Sequence, residues 1–179
     1  MDTIRLDSPF DRIDFIKSNR TFWIITWKKY KKRLINYSIF SIVILTLGLI
    51  VKSDNEPSNP FIFIGIGFLI LSVFMALMML NSWNTYNKKI KSIAGKFDEL
   101  KANFIFELSG DSVKYWDYEK HFDFKWSVFT HYTIYKDYIV LFFNNSMIGG
   151  FLFSKDSEVG IYDKILEIVK IKLEFKEIK

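Results

Sequence analysis

Two long uncharged stretches interrupt a chain that is otherwise a mixture of apolar and charged positions. Leu34 to Val51 is 18 residues, 12 of them Leu, Ile, Val or Phe; Phe61 to Leu80 is 20 residues, with 13 such residues and three Met. At about 1.5 Å per residue, helices of these lengths reach roughly 27 and 30 Å, close to the hydrocarbon thickness of a bilayer. Insertion energies of about −0.3 to −0.6 kcal/mol per large apolar residue give each stretch roughly −4 to −8 kcal/mol before polar corrections. The competing reading is a buried helical hairpin in a soluble protein, but two adjacent uncharged runs of this length favour lipid. Lys52 to Pro60 between them is polar, with Pro57 and Pro60 opposing helix continuation. The pattern predicts a transmembrane hairpin over residues 34–80, with spans 34–51 and 61–80.

The flanks of the hairpin add an orientation. Arg20, Lys28, Lys29, Lys31, Lys32 and Arg33 precede the first span, and Lys88, Lys89 and Lys91 follow the second, whereas the intervening turn carries a net −1. The positive-inside rule then puts both termini in the cytoplasm, with these basic side chains as candidate membrane-surface contacts. Trp23, Trp27 and Tyr30 before the first span, and Trp83 and Tyr86 after the second, suit the headgroup layer; ordinary core packing is an equal reading for Trp23. Residues 1–33 read as a cytoplasmic juxtamembrane segment, in which Asp11 to Arg33 can form a helix with Ile13, Ile16, Trp23, Trp27 and Tyr30 near one face; that face could rest on the inner leaflet, but the favoured reading is that the lysines only fix orientation. No acidic, basic or histidine side chain lies inside either span, and Asn36 is the strongest polar group there, so the spans offer no ion or proton path. Gly65, Ser72 and Ala76, with Gly67 nearby, are candidate helix–helix packing positions.

After the second span, Asn81 to Asn103 is lysine-rich with Ile90, Ile93, Phe97 and Leu100 at helical spacing, which predicts a helical stalk over 81–103. From Phe104 the period becomes two. Phe104–Leu108, Val113–Asp117, His121–Trp126, Val128–Tyr135, Tyr138–Phe143 and Met147–Phe153 read as six short strands of an antiparallel meander, separated by Ser109-Gly110-Asp111, Lys136-Asp137 and Asn144-Asn145-Ser146. Asp156-Ser157-Glu158 is the expected cap of a closing helix whose apolar stripe is Tyr162, Ile165, Leu166, Val169 and Leu173. The fold class is therefore α+β: a two-helix transmembrane hairpin plus a small antiparallel domain over 104–179 capped by a C-terminal helix.

Composition then removes several functions. The net charge of +5 is uneven: residues 104–179 carry 10 Lys and 12 Asp or Glu, so the basic excess flanks the spans, and Lys outnumbers Arg 21 to 4. That distribution argues against nucleic acid as a partner. Without cysteine there is no disulfide framework, thiolate nucleophile or cysteine-ligated metal. The N-terminus lacks the features of a secretory signal, leaving targeting to the first span. His121 and His131 have no neighbours at metal-ligand spacing, Asp117 and Glu119 fit a solvated sheet face better than a hydrolytic pair, and Gly149-Gly150 reads as a bulge or close backbone approach. No catalytic, cofactor or metal residues are expected, and a stand-alone enzyme is disfavoured.

The order of parts resembles the YcxB-like family: N-terminal segment, basic stretch, two-span hairpin, short stalk and a strand-rich cytoplasmic domain ending in a helix. The resemblance rests on Phe122-Asp123-Phe124-Lys125-Trp126-Ser127, then Tyr138-Ile139-Val140-Leu141-Phe142-Phe143, then Ile148 to Lys155 leading into the helix. Phe153-Ser154-Lys155 stands where the family has an Ile-Pro-Lys-like turn, and the acidic residue usual about six positions after the tryptophan is missing around Tyr132. The resemblance implies a C-terminal domain like bacterial pleckstrin-homology domains and no particular ligand; the leading expectation is a non-enzymatic protein of the bacterial cytoplasmic membrane, without cofactor, that presents this domain to a protein or lipid partner. The alternatives are an accessory subunit of a membrane transporter or enzyme, and a membrane immunity protein against a toxin.

Overall fold

The computed structural model describes residues 3–51, 59–144, 149–156 and 160–177. The chain is α+β. In order it forms β1 (Ile4–Pro9), α1 (Arg12–Ile50), α2 (Pro60–Glu99), β2 (Asn103–Leu108), β3 (Ser112–Trp116), β4 (His121–Lys125), a 3-10 turn at Trp126–Val128, β5 (Phe129–Tyr135), β6 (Tyr138–Phe143), β7 (Gly150–Ser154) and α3 (Ile161–Lys172). Two compact units result: residues 1–26 with 88–179, and residues 27–87.

In the first unit the strands form two antiparallel meanders, β1-β2-β3-β4 and β5-β6-β7. β1 was not foreseen in the sequence, which assigned these residues to a juxtamembrane segment. It pairs with β2 from Ile4↔Leu108 to Pro9↔Asn103, so the two long helices are an insertion within a single strand pair. Alternation sorts the four-stranded sheet into two faces. On one face, Arg5, Glu107, Lys114 and Asp123 stand opposite one another across the four strands, a row of alternating charge. Within it Lys114 Nζ is 3.0 Å from Glu107 Oε1, and that carboxylate raises the lysine's pKa.

The other face enters the core. Leu6, Leu108 and Val113 meet Phe129, Ile139, Leu141 and Phe153 of the second sheet, and Ile165, Ile168 and Val169 of α3 close the cluster. Phenylalanine supplies much of the fill: Phe106 packs edge-on against Phe151 and Phe153, and Phe129 stacks on Phe143. The second sheet is covered on its opposite side as well. Phe22 and Ile25 of α1 bury there against Tyr138 and Val140, with Phe142 and Leu152 around them.

That contact gives this length of α1 a protein partner on one side, which was not foreseen in the sequence. Phe22, Trp23 and Ile25 are buried; of the rest of the expected stripe, Ile16, Trp27 and Tyr30 are half-buried and Ile13 is 77% exposed. Trp23 is therefore a core residue and not a headgroup anchor. α1 also begins as a capped helix, since Asp11 Oδ1 accepts hydrogen bonds from the backbone N–H of Ile13 (2.7 Å) and Asp14 (2.9 Å). α2 ends in a Schellman motif: the N–H of Ala102 donates to the carbonyl of Phe97 and that of Lys101 to Asp98, with Lys101 at φ 45°. Beside it Arg12 pairs with Asp98 at 3.3 Å, and Phe10, Phe15, Phe97 and Phe104 form a cluster of rings with centroids 5.1–6.3 Å apart.

α3 starts later than its expected cap. Gly160, at φ 83°, precedes Ile161 without a side-chain cap, and Asp156 lies in a turn before it. Ser157 and Glu158 lie outside the described residues, as do Asn145 to Ile148 and the inter-span residues 52–58. Beyond α3 the chain returns to β5, where the N–H of Tyr132 donates to Glu174 and the N–H of Lys176 to Tyr132.

Candidate membrane-anchoring site

The second unit holds the C-terminal part of α1, from Trp27, and the N-terminal part of α2, to Asn87. At about 1.5 Å per residue, the full helices of 39 and 40 residues measure roughly 58 and 60 Å, about twice the hydrocarbon thickness. Each contains an 18-residue window of high mean hydropathy, 1.8 in α1 and 2.7 in α2, and each window is only 11% buried. Both helices are thus long and apolar enough to cross a membrane. A core helix of a soluble protein passes the same test but is mostly buried.

Close packing holds the pair. Gly65 of α2 lies against Leu45: a Cβ there would sit 2.6 Å from Leu45 Cγ and 3.1 Å from its backbone nitrogen. Gly48 of α1 is the matching small residue, where a Cβ would fall 2.9 Å from Ile62 Cγ1. Ser41, fully buried, donates its hydroxyl to the carbonyl of Gly65 at 2.8 Å, and Phe40 meets Phe68 edge-on at 4.8 Å. Of the positions expected from sequence, Gly65 makes this contact directly. Ser72 is buried but donates back to Phe68 of its own helix, Ala76 is half-buried, and Gly67 has open space where a Cβ would lie. Gly48 and Ser41 were missed, because a small residue in an apolar run shows no partner until the second helix is aligned with it.

Polar groups in these stretches bond to the backbone of the helices themselves. Ser38, Thr46 and Ser72 each donate to the carbonyl four residues earlier. Asn59 serves both helices at the turn: its side-chain nitrogen donates to the carbonyl of Gly48 at 2.7 Å, and its oxygen accepts from the N–H of Phe61 at 3.0 Å. Pro60 occupies the first helical position, where its missing donor costs nothing. Towards the other ends, Lys28, Lys29, Lys31, Lys32, Arg33, Lys88, Lys89 and Lys91 are exposed, and Arg20 is half-buried. Trp27 packs on Tyr30 with centroids 5.1 Å apart.

The first unit holds the remaining candidate chemistry. Asp117 organises the β3–β4 turn, one carboxylate oxygen accepting from the N–H of Glu119 and Lys120 (both 2.8 Å) and the other from the Tyr115 hydroxyl (2.9 Å). Burial, and then this bond, push the Tyr115 pKa upwards. Glu119 accepts from Tyr118. Both acids lie in this turn and not on the solvated sheet face expected from the sequence, because β3 ends at Trp116. His121 stacks on Trp116 and His131 on Phe142, with Thr130 Oγ1 2.7 Å from His131 Nδ1. Burial, followed by the charge of Lys176, lowers the pKa of His131 against a smaller opposing effect of Glu174. No group of three metal-ligating side chains occurs among the described residues. An open groove of about 550 Å³ runs between β1 and α3, lined by Thr3, Ile4, Arg5, Ile161, Lys164, Glu167, Ile168 and Ile171.

No family model, curated protein or solved structure matches the chain.

Proposed function

We propose that this chain is an integral protein of the bacterial cytoplasmic membrane, anchored by α1 and α2, which presents a pleckstrin-homology-like domain to a protein or lipid partner in a non-enzymatic role. The observation that carries the reading is the pair of apolar windows, each only 11% buried in the fold. Leaving that much large aliphatic surface in water costs about 25 cal/mol per Å², a cost that lipid removes. The satisfied hydroxyls of Ser38, Ser41, Thr46 and Ser72 and the double cap at Asn59 agree with a segment in which water is not a partner.

Topology supports both ends lying on one side. β1 and β2 are adjacent strands of one sheet, so the chain leaves and re-enters the same domain, and only an even number of crossings permits this. The basic flanks assign that side to the cytoplasm. Two small antiparallel meanders closed by one helix support the pleckstrin-homology-like reading and, with it, the YcxB-like resemblance. Alkaline extraction of membranes carrying the full chain tests the anchor. The protein stays with the lipid pellet if the reading holds; release into the supernatant as a folded soluble species overturns it.

A further inference from the structure

β1 ends its sheet, and its free edge carries a self-complementary pattern. The N–H of Phe10 donates to the carbonyl of Ala102, which fixes the alternation along the β1–β2 pair: Ile4, Leu6 and Ser8 bond to β2, while Thr3, Arg5, Asp7 and Pro9 turn their backbone groups to the open side. All four of these outward residues are exposed. Edge strands are ordinarily protected by charged side chains, proline or a covering element, and like charges on two such edges repel. Here the edge carries one residue of each sign.

We propose that β1 pairs antiparallel with β1 of a second copy of this chain, in the register centred on Leu6. Backbone complementarity allows only registers that oppose outward residues to outward residues. Opposing Arg5 to Arg5, or Asp7 to Asp7, places like charges in contact. The register centred on Leu6 instead sets Arg5 against Asp7 of the other copy, and Asp7 against its Arg5, forming two opposite-charge pairs by symmetry. It also overlaps the strands from Thr3 to Pro9, and proline sits at the end of the overlap, where its missing donor removes little. The groove beside this edge holds Ile171, 67% exposed. The pairing goes beyond the proposed anchoring and does not require it, although confinement of both copies to one membrane face raises their effective concentration.

The test uses full-length copies with two different tags, co-expressed and purified together from native membranes in mild detergent. Arg5→Asp alone and Asp7→Arg alone each reduce co-purification of the two tags by about tenfold, because every pair becomes like-charged. A copy carrying Arg5→Asp mixed with one carrying Asp7→Arg recovers it, as does the double exchange Arg5→Asp/Asp7→Arg; this recovery separates loss of pairing from loss of folding. In this cysteine-free chain, an Arg5→Cys copy oxidises onto an Asp7→Cys copy and not onto itself. Single reversals that co-purify like the unaltered chain, unaltered copies that do not co-purify, or an Arg5→Cys copy that bridges to a different protein would each overturn the proposal.

Discussion

At the scale of single residues, a few positions carry constraints that their neighbours do not. Gly150 begins β7 where the strand passes Leu141: a Cβ there would lie 2.0 Å from the Leu141 carbonyl oxygen and 3.0 Å from the Phe22 ring. The nearest atom is backbone, so relief requires β6 and β7 to part. Gly150→Ala is expected to destabilise the protein by about 2–3 kcal/mol, read as a loss in thermal or denaturant midpoint. His131 sets a pH dependence. Its pKa in the fold lies below the ordinary 6.5, so between the two values the unfolded chain binds more proton than the native one, and stability rises with pH there. Acidification from neutrality through 6.5 should therefore weaken the fold. His131→Gln should flatten that limb, which a series of melts from about pH 7.5 down to about pH 5 would reveal. A slope unchanged by the substitution would assign the effect to other groups.

Elements show what sequence patterns can and cannot reveal. All six strands expected after Phe104 occur, with ends moved by no more than one residue apart from the start of the last, whose Met147 and Ile148 lie outside the described residues, because aromatic and β-branched residues alternating with charge are a local signal. β1 was invisible for a non-local reason. Ile4-Arg5-Leu6-Asp7 is too short an alternation to stand alone, and its partner lies beyond two helices at Asn103–Leu108. The sheet contact of the N-terminal length of α1 was not legible because an apolar stripe among lysines looks the same whether it faces headgroups or a sheet. Phe22 and Ile25 resolve the ambiguity by packing on Tyr138 and Val140. Phe22→Ala is accordingly expected to cost about 3–5 kcal/mol, with loss of protease resistance in the β domain. A helix lying on lipid would give little change in either measurement.

For the whole molecule, the central feature is an insertion: nearly ninety residues of helix and turn enter between two strands that are neighbours in one sheet. Composition disclosed the apolar stretches and the basic flanks, since both are sums over local sequence, and the two candidate spans were legible to that extent. The closing of the domain around the insertion was not, because strand pairing across such a separation leaves no periodic trace. One consequence concerns folding. β1 cannot complete its sheet until both helices have been made, so a chain truncated after α1 is expected to leave Leu6 without its core.

Thiol labelling in intact cells tests the central claim most directly, because the chain has no cysteine to give background. Ser53→Cys places a thiol in the inter-span sequence, and Asp111→Cys places one in the exposed turn between β2 and β3. A membrane-impermeant maleimide should label the Ser53→Cys protein in intact cells, and the Asp111→Cys protein only after the membrane is opened. Labelling of the Asp111→Cys protein from outside, or protection of both variants until the cells are broken, would contradict a double crossing with both termini in the cytoplasm.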